Sequence, residues 1–371
     1  MKSATSHSRS SQSMALLSRL LLSPHDWVSP TSPANVEPRR EVRSLDRDGL
    51  DNMLSLAQSN HVVMRGLAMM RNLMVECGDV ERAQWAESAL AVEQSRIENA
   101  LIYLHSICGA FAEQGHEVTV IKSLDHWPDC GSDLDLYTSA NEEDVIELMK
   151  KGFDARVAAQ SWGDRLAHKW NFYVPDLPEA VEIHVGRLGQ TGEQIYLASE
   201  LLNRSKPVSI GELGFRVPSD CDRIMISTLQ RMYRHFYFRL CDVVDTAALA
   251  DAGGINFVNL CYLARRAGIW EGVATYLSIV SDYVRSYRGS GLNLPRFVTS
   301  AARFCGDKVY YDRSFLRVPI MPQSVRLYGT QLARTLARGE LHNGARLTLL
   351  PWLATAAVIG QKFTGRDKGI W

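Results

Sequence analysis

The chain lacks the features that define several classes of protein. Its seven cysteines include no C-x-x-C pair, so the sequence indicates neither a disulfide framework nor a zinc cluster, and a reducing, cytoplasmic compartment fits best. Its 41 basic and 41 acidic residues cancel, which argues against a field that attracts long nucleic acids. No apolar run has the length of a membrane span, because the longest candidate, residues 347–360, is interrupted by Pro351. No Walker loop, kinase signature or dinucleotide fingerprint occurs.

What the sequence does contain is an ordinary globular composition, with 46% hydrophobic and 22% charged residues. We predict an α+β fold in four parts: a disordered tail over residues 1–45, N-terminal helices over 46–115, a core of strands over 116–218 and a C-terminal helical domain over 219–371. The tail is assigned from its repeated serines, its four prolines and its few acids. An organellar transit peptide is the alternative interpretation of the same segment.

The most informative segment, residues 118–137, carries an apolar stretch followed by two closely spaced carboxylates. Asp133 and Asp135 alternate with Leu134 and Leu136, so an extended strand turns both acids to one face and both leucines to the other. Mg²⁺ in proteins is held by one or two carboxylates together with substrate phosphates, and this pair is suited to that role. A solvated edge strand with an acidic outer face is the alternative.

A short turn and a third acid surround this strand. Ser123 precedes Asp133 by ten residues, across a polar segment with Pro128 and Gly131, and backbone N–H groups of such a turn can hold a triphosphate in front of bound metals. Residues 168–174 and 180–186 read as two further strands joined by a proline-containing turn. In the second of them Glu182 and His184 share one face, opposite Val181, Ile183 and Val185, as expected of a third catalytic strand or of an ordinary amphipathic hairpin.

This layout resembles the nucleotidyltransferase superfamily that includes DNA polymerase beta. Its signature is a Gly followed by Gly or Ser and, after a short spacer, acid, apolar, acid, apolar; here Lys122 stands where the first Gly is usual. Over roughly residues 55–290 the ordered blocks VTVIKSL, SDLDLY, KKGF, VEIHVG, PVSIGELGFRVPS and RHFYFRLCDVVD are similar to the family of uncharacterised nucleotidyltransferases. The resemblance implies a mixed sheet flanked by helices, Mg²⁺ or Mn²⁺, and a nucleoside triphosphate such as ATP.

The resemblance also implies roles for particular residues. Asp133, Asp135 and Glu182 are expected to be catalytic and to bind the metal ions. The residues expected to contact the nucleotide are Lys122, Ser123, Ser132, His184 and Arg239. Arg239 ends a helix predicted to start after Ser219, on which Arg231, Arg234, His235 and Arg239 follow one side.

The expected activity is the transfer of a nucleoside monophosphate to an unidentified hydroxyl-bearing acceptor, with release of pyrophosphate. Two alternatives remain open at this point. One is a nucleotide-binding or scaffold protein that kept the fold and lost catalysis, which Lys122 in place of Gly favours. The other is an RNA-modifying, tRNA-directed nucleotidyltransferase, for which the basic segment 326–368 is the only hint in the sequence.

Overall fold

The protein, in a computed structural model that describes residues 2–23, 33–312 and 314–352, has an α+β fold built around one mixed sheet. The five strands of that sheet are β1 (Val118–Val120), β2 (Asp133–Thr138), β3 (Arg156–Val157), β4 (Lys169–Tyr173) and β5 (Ala180–Val185). They lie in the order β1-β2-β5-β4-β3. The β2–β5 pair is parallel and the other pairs are antiparallel. The predicted α+β class is confirmed.

One face of the sheet is apolar because the leucines and β-branched residues of β2 and β5 alternate with polar residues. Leu134 and Leu136 are fully buried, and they pack in one core with residues of helices α5 (Val80–Glu113) and α6 (Glu142–Phe153). Burying a leucine of this kind stabilises the fold by about 1.5–3 kcal/mol. The apolar face therefore fixes the sheet on its helices and leaves the acids on the opposite face.

Helix α6 is capped at its N-terminus by a residue of its own sequence. The side chain of Asn141 accepts a hydrogen bond from the Asp144 backbone N–H, which satisfies one of the free donors of the first turn. Acidic residues occupy the first turn and two lysines the last, as the helix dipole favours. The helix ends at Asp154, whose backbone is left-handed with φ of 49°.

In the described part of the N-terminal segment, residues 2–23 and 33–45, helices contradict the predicted disordered tail; residues 1 and 24–32 of that prediction lie outside the described residues. Four helices precede the sheet beside α5: α1 (Lys2–Leu22), α2 (Pro33–Ser44), α3 (Arg47–Ser59) and α4 (Val63–Glu76). Leu17 and Leu20 of α1 are buried in the larger hydrophobic core, and a Cβ atom placed on Gly66 of α4 would lie 2.8 Å from Leu17 Cδ1. The Ser18 hydroxyl is 2.7 Å from the Tyr283 hydroxyl. The serines that suggested disorder thus include one that bonds inside the core.

The rest of the described chain is mainly helical. Its elements are α7 (Trp162–Leu166), α8 (Ile195–Arg204), β6 (Lys206–Ile210), β7 (Leu213–Val217), α9 (Asp220–Thr228), β8 (Tyr237–Phe238), α10 (Leu240–Asp251), α11 (Phe257–Arg266), α12 (Trp270–Arg288), α13 (Arg296–Thr299), β9 (Tyr310–Asp312), β10 (Phe315–Arg317), α14 (Val325–Ala337) and α15 (Leu341–Thr348). Strands β6 and β7 form a hairpin, and β8, β10 and β9 form a small second sheet. Within the described residues, no helix combines the length and the apolar character needed to cross a membrane. The predicted apolar run and basic segment extend past residue 352, outside the described residues.

The helix predicted from Ser219 to Arg239 is wrong in its second half. Helix α9 begins after Ser219, whose side chain accepts the Asp222 N–H, but it gives way to a π-helical turn, Leu229–Arg234. Phe236 then has a left-handed backbone with φ of 55°, and β8 follows. The four basic residues are therefore not on one side of a helix. The sequence pattern alone does not reveal the break, because the apolar spacing continues through it.

Candidate active site

The polar face of the central sheet brings together the carboxylates predicted for the site. Asp135 of β2 is the direct register partner of Glu182 on the parallel neighbour β5. Their side chains point to the same face because paired residues on adjacent strands project together. Asp135 is 8% exposed, whereas Asp133, one pair earlier on that face, is exposed at the start of β2. The two adjacent strands thus form a carboxylate pair with a third acid at its solvent edge.

Lys122, the residue that departs from the family signature, lies against this pair. Its ammonium group forms an ion pair with Asp135 and lies 3.4 Å from Glu182 Oε1. Its backbone is left-handed with φ of 65°, a conformation that glycine adopts freely and that costs other L-residues roughly 1–2 kcal/mol. The chain therefore keeps the backbone geometry that favours Gly at this position and adds a positive charge to it.

Two further side chains contact Glu182. Lys169 Nζ lies 2.9 Å from Glu182 Oε2 and 2.9 Å from Asp164 Oδ1, and His184 Nε2 lies 2.9 Å from Glu182 Oε1. Sequence reasoning identified His184 and missed Lys169. The available signal was strand alternation, since Lys169 is the register partner of His184 on β4 and its side chain shares that face.

The electrostatics separate the two paired acids. Burial raises the pKa of Asp135 well above its ordinary value; the Lys122 ammonium opposes this rise and the Glu182 carboxylate adds to it. Burial acts in the same direction on Glu182, but the charges of Lys122 and Lys169 outweigh it and hold the pKa of Glu182 well below its ordinary value. Burial, together with the two lysines, lowers the pKa of His184 to about 4. At neutral pH His184 is therefore an uncharged imidazole.

Ser123 has a structural role in the loop after β1. Its hydroxyl accepts the Asp135 backbone N–H at 2.7 Å and donates to the Asp133 carbonyl at 3.1 Å, and its own N–H bonds the Ile121 carbonyl at 2.7 Å. The side chain is 2% exposed. The hydroxyl is therefore engaged within the loop, where it holds the start of β2 in position. A contact between Ser123 and a nucleotide stays a prediction.

The two other predicted nucleotide contacts lie at the edge of the site. Ser132 is exposed directly before Asp133. Arg239 immediately precedes α10, where its N–H donates to Asp242 Oδ2 at 2.7 Å. Partial desolvation and the Glu182 carboxylate raise the pKa of Asp133, although its side chain reaches solvent, and the charge of Arg239 is among those that oppose the rise. Arg231, by contrast, is buried in an ion pair with Asp242 at 2.8 Å and does not belong to the site.

Little space is left beside the carboxylates. Between β5 and the π-helical turn, a cavity of about 40 Å³ is lined by residues that include Lys122, His184 and Arg234. Pockets for small-molecule ligands usually measure about 300–1,000 Å³. A nucleotide therefore enters this cleft only if the turn or a lining side chain moves.

The donor atoms fit a divalent cation. Asp135, Glu182 and His184 each present a ligand atom within 4.8 Å of the other two, with Asp133 on the same face. Carboxylate oxygens suit Mg²⁺ and Mn²⁺, and an uncharged imidazole suits softer ions such as Zn²⁺. The Lys122 ammonium lies between the two paired acids, so cation binding there requires its side chain to turn away.

The chain matches no family model and no curated protein. The fold class is therefore established by the structure itself. The resemblance to the nucleotidyltransferases stays a prediction from the residues quoted above.

Proposed function

We propose that this protein is a metal-dependent nucleotidyltransferase, which transfers a nucleoside monophosphate from a nucleoside triphosphate to a hydroxyl-bearing acceptor and releases pyrophosphate. One observation carries the proposal: Asp135 and Glu182 lie side by side on adjacent parallel strands, with Asp133 on the same face. Two carboxylates on one buried sheet face repel each other, and a protein gains from that arrangement where a cation binds. The left-handed turn at Lys122, just after the end of β1, is where a triphosphate would lie.

The chain's own residues have distinct tasks in this proposal. Asp133 and Asp135 would hold one metal ion, and Glu182 would contribute to a second. Bound metal ions of this kind neutralise the triphosphate and lower the pKa of the acceptor hydroxyl. The low pKa of Glu182 makes it a better ligand than base, because a carboxylate that is hard to protonate takes up a proton poorly. His184 orients Glu182 through their 2.9 Å contact.

In this proposal the ammonium group of Lys122 would leave the Asp135 carboxylate and bind the triphosphate. With a cation bound at the carboxylates, the ammonium group would be repelled, and the flexible lysine side chain would pair with a phosphate of the triphosphate instead. That displacement would enlarge the small cleft that Lys122 lines. This exchange accounts for a lysine at a position where the superfamily has Gly.

A second candidate is a nucleotide-binding protein without catalysis. The position of Lys122 favours it, because the ammonium group supplies the positive charge between Asp135 and Glu182 that a metal ion would supply. Lys169 adds a further positive charge to Glu182. In this case the protein binds a nucleotide at the turn and transfers nothing.

The test is a screen of the four ribonucleoside triphosphates for pyrophosphate release, with Mg²⁺ and with cell extract as the source of acceptors. The proposed transferase releases pyrophosphate from at least one of them, and Asp133→Asn, which keeps the size of the side chain at an exposed position, abolishes the release. Saturable Mg²⁺-dependent nucleotide binding with no release favours the second candidate. The absence of both nucleotide binding and pyrophosphate release would contradict both candidates.

A further inference from the structure

A second group of metal-ligand side chains lies outside the carboxylate site. It consists of His61, from the turn between α3 and α4, His126, from the loop between β1 and β2, and Cys241, from the first turn of α10. One ligand atom from each residue lies within 4.8 Å of the other two. The three residues come from distant parts of the chain, so no spacing motif marks them in the sequence.

The geometry between His126 and Cys241 matches a tetrahedral metal site. His126 Nε2 lies 3.7 Å from Cys241 Sγ. Zinc–sulfur bonds of about 2.3 Å and zinc–nitrogen bonds of about 2.0–2.1 Å place these two atoms about 3.6 Å apart at a tetrahedral angle. The observed separation therefore leaves the sulfur and the nitrogen in place for one shared ion.

His61 supplies the independent sign of a missing ligand. It is 9% exposed, and its Nδ1 is buried without a hydrogen-bond partner among the described residues. Its backbone is left-handed with φ of 53°, which an L-residue adopts at a cost. Its ring lies edge-on to that of His126, with the centroids 5.8 Å apart. A buried imidazole nitrogen with no partner is costly unless a proton donor or a metal ion satisfies it.

Neighbouring groups hold two of these three residues in position. His126 Nδ1 lies 2.5 Å from Asp245 Oδ2, which fixes the ring so that Nε2 faces Cys241. Arg65 holds Asp245 through a 2.6 Å contact to Oδ1. On the other side, the backbone N–H of Cys241 donates to the Asn60 carbonyl at 3.2 Å, which ties the start of α10 to the residue before His61. A carboxylate on the far nitrogen of a histidine is the usual support for a metal ligand.

A catalytic cysteine is the competing interpretation of Cys241, His126 and Asp245, because a thiol, an imidazole and a carboxylate follow one another there. Cys241 is 0% exposed, so no substrate reaches its sulfur in this structure. A catalytic triad of Cys241, His126 and Asp245 also leaves the unpartnered Nδ1 of His61 unexplained. Both facts favour a metal ion, which needs only an ion-sized path.

We propose that His61, His126 and Cys241 bind one transition-metal ion of the zinc class. A thiolate and two imidazoles select such ions over Mg²⁺ and Ca²⁺. The ion joins the α3–α4 turn and α10 to the loop that carries Lys122 and Ser123, and so fixes the loop in front of the carboxylates. Three protein ligands leave a fourth position for water.

The test uses the untagged full chain, stripped with a chelator and titrated with Co²⁺ while its absorption spectrum is recorded. The proposal predicts a thiolate-to-cobalt charge-transfer band that saturates at one equivalent and that Zn²⁺ abolishes. Cys241→Ser should lose this band. Cys130→Ser should keep it, because Cys130 is a buried cysteine of the same β1–β2 loop that does not belong to the group.

Three results would overturn the proposal: no charge-transfer band in the wild-type chain at excess Co²⁺, a band retained in Cys241→Ser, or a band lost in Cys130→Ser. The titration of the wild-type chain tests the proposal even if Cys241→Ser fails to fold. Asp133→Asn, in the carboxylate site, should leave the thiolate-to-cobalt charge-transfer band unchanged, so the outcome is independent of the proposed transferase activity.

Discussion

The ammonium group of Lys122 forms an ion pair with the carboxylate of Asp135. The backbone of Lys122 is left-handed, a conformation that is strained for an L-residue and unstrained for glycine. The ammonium group also lies 3.4 Å from Glu182 Oε1. It therefore provides the counter-charge that lets two acids share a buried sheet face. A divalent cation bound there would compete with Lys122 for the same two carboxylates.

The first prediction separates the charge of Lys122 from its backbone conformation. In the presence of a chelator, Lys122→Ala should be less stable than wild type by about 3–5 kcal/mol, because removing one partner leaves buried charge uncompensated. Lys122→Gly should lose roughly 1 kcal/mol less, since Gly adopts a φ of 65° without strain. Denaturant unfolding measures all three proteins.

Added Mg²⁺ should restore much of the lost stability in both variants, because the cation replaces the missing ammonium. Lys151→Ala is the matched control: Lys151 is exposed, pairs only with Glu147 on the surface in the described contacts, and should change stability by less than about 0.5 kcal/mol. Wild-type stability in Lys122→Ala would show that Lys122 does not neutralise the site.

The second prediction concerns the pH dependence that Asp135 confers. Its pKa is raised in the folded state, so the folded protein holds this proton more tightly than the unfolded chain does. Its contribution to stability therefore falls as the pH rises from the unfolded pKa of about 4 through the raised folded pKa. Asp135→Asn should gain stability relative to wild type as the pH rises above about 4 in metal-free buffer.

The control for this measurement is Glu212→Gln, at an exposed position in the turn between β6 and β7, which should change the stability by less than about 0.5 kcal/mol in the same buffers. A difference between Asp135→Asn and wild type that is flat, or that moves in favour of wild type as the pH rises, would contradict the raised pKa of Asp135.

The third prediction tests the positioning role of Ser123. Ser123→Ala leaves the buried Asp135 N–H and the Asp133 carbonyl without the hydroxyl between them, which should lower the free energy of unfolding by about 1–3 kcal/mol. Ser132→Ala, at the exposed neighbour of Asp133, should be nearly neutral for stability. Equal stability of the two variants would show that the Ser123 bridge is unimportant.

The strands of the site were predictable, because polar and apolar residues alternate in SDLDLY and VEIHVG. The pairing between those strands was not predictable. Pairing of Asp135 with Glu182 depends on which strands become neighbours, and the contact of Lys169 with Glu182 depends on the β4–β5 register. The π-helical turn after Thr228 likewise follows from tertiary packing, since its local sequence continues a helical pattern.

In the N-terminal segment, too, tertiary packing decides a structure that the local sequence did not predict. Serine and proline content predicted disorder, yet α1 presents leucines at helical spacing to a core that only the later helices complete.

The fourth prediction concerns the packing of α1: Leu20→Ala should destabilise the protein by about 2–5 kcal/mol, while Gln12→Ala, on the exposed part of α1, should have little effect. If Leu20→Ala unfolds at the wild-type denaturant concentration, α1 does not belong to the core.

The most direct test of the central claim is the rate of pyrophosphate release from a Mg²⁺-bound nucleoside triphosphate by Glu182→Gln, measured together with the affinity of that variant for the nucleotide. Glu182 is 2.9 Å from both Lys169 and His184, so the amide keeps neighbours in place while it weakens a metal ligand. The account predicts that release falls by orders of magnitude while nucleotide binding stays within a few-fold of wild type. Release that stays at the wild-type rate, or binding that is lost together with release, would contradict a catalytic role for the Asp135–Glu182 pair.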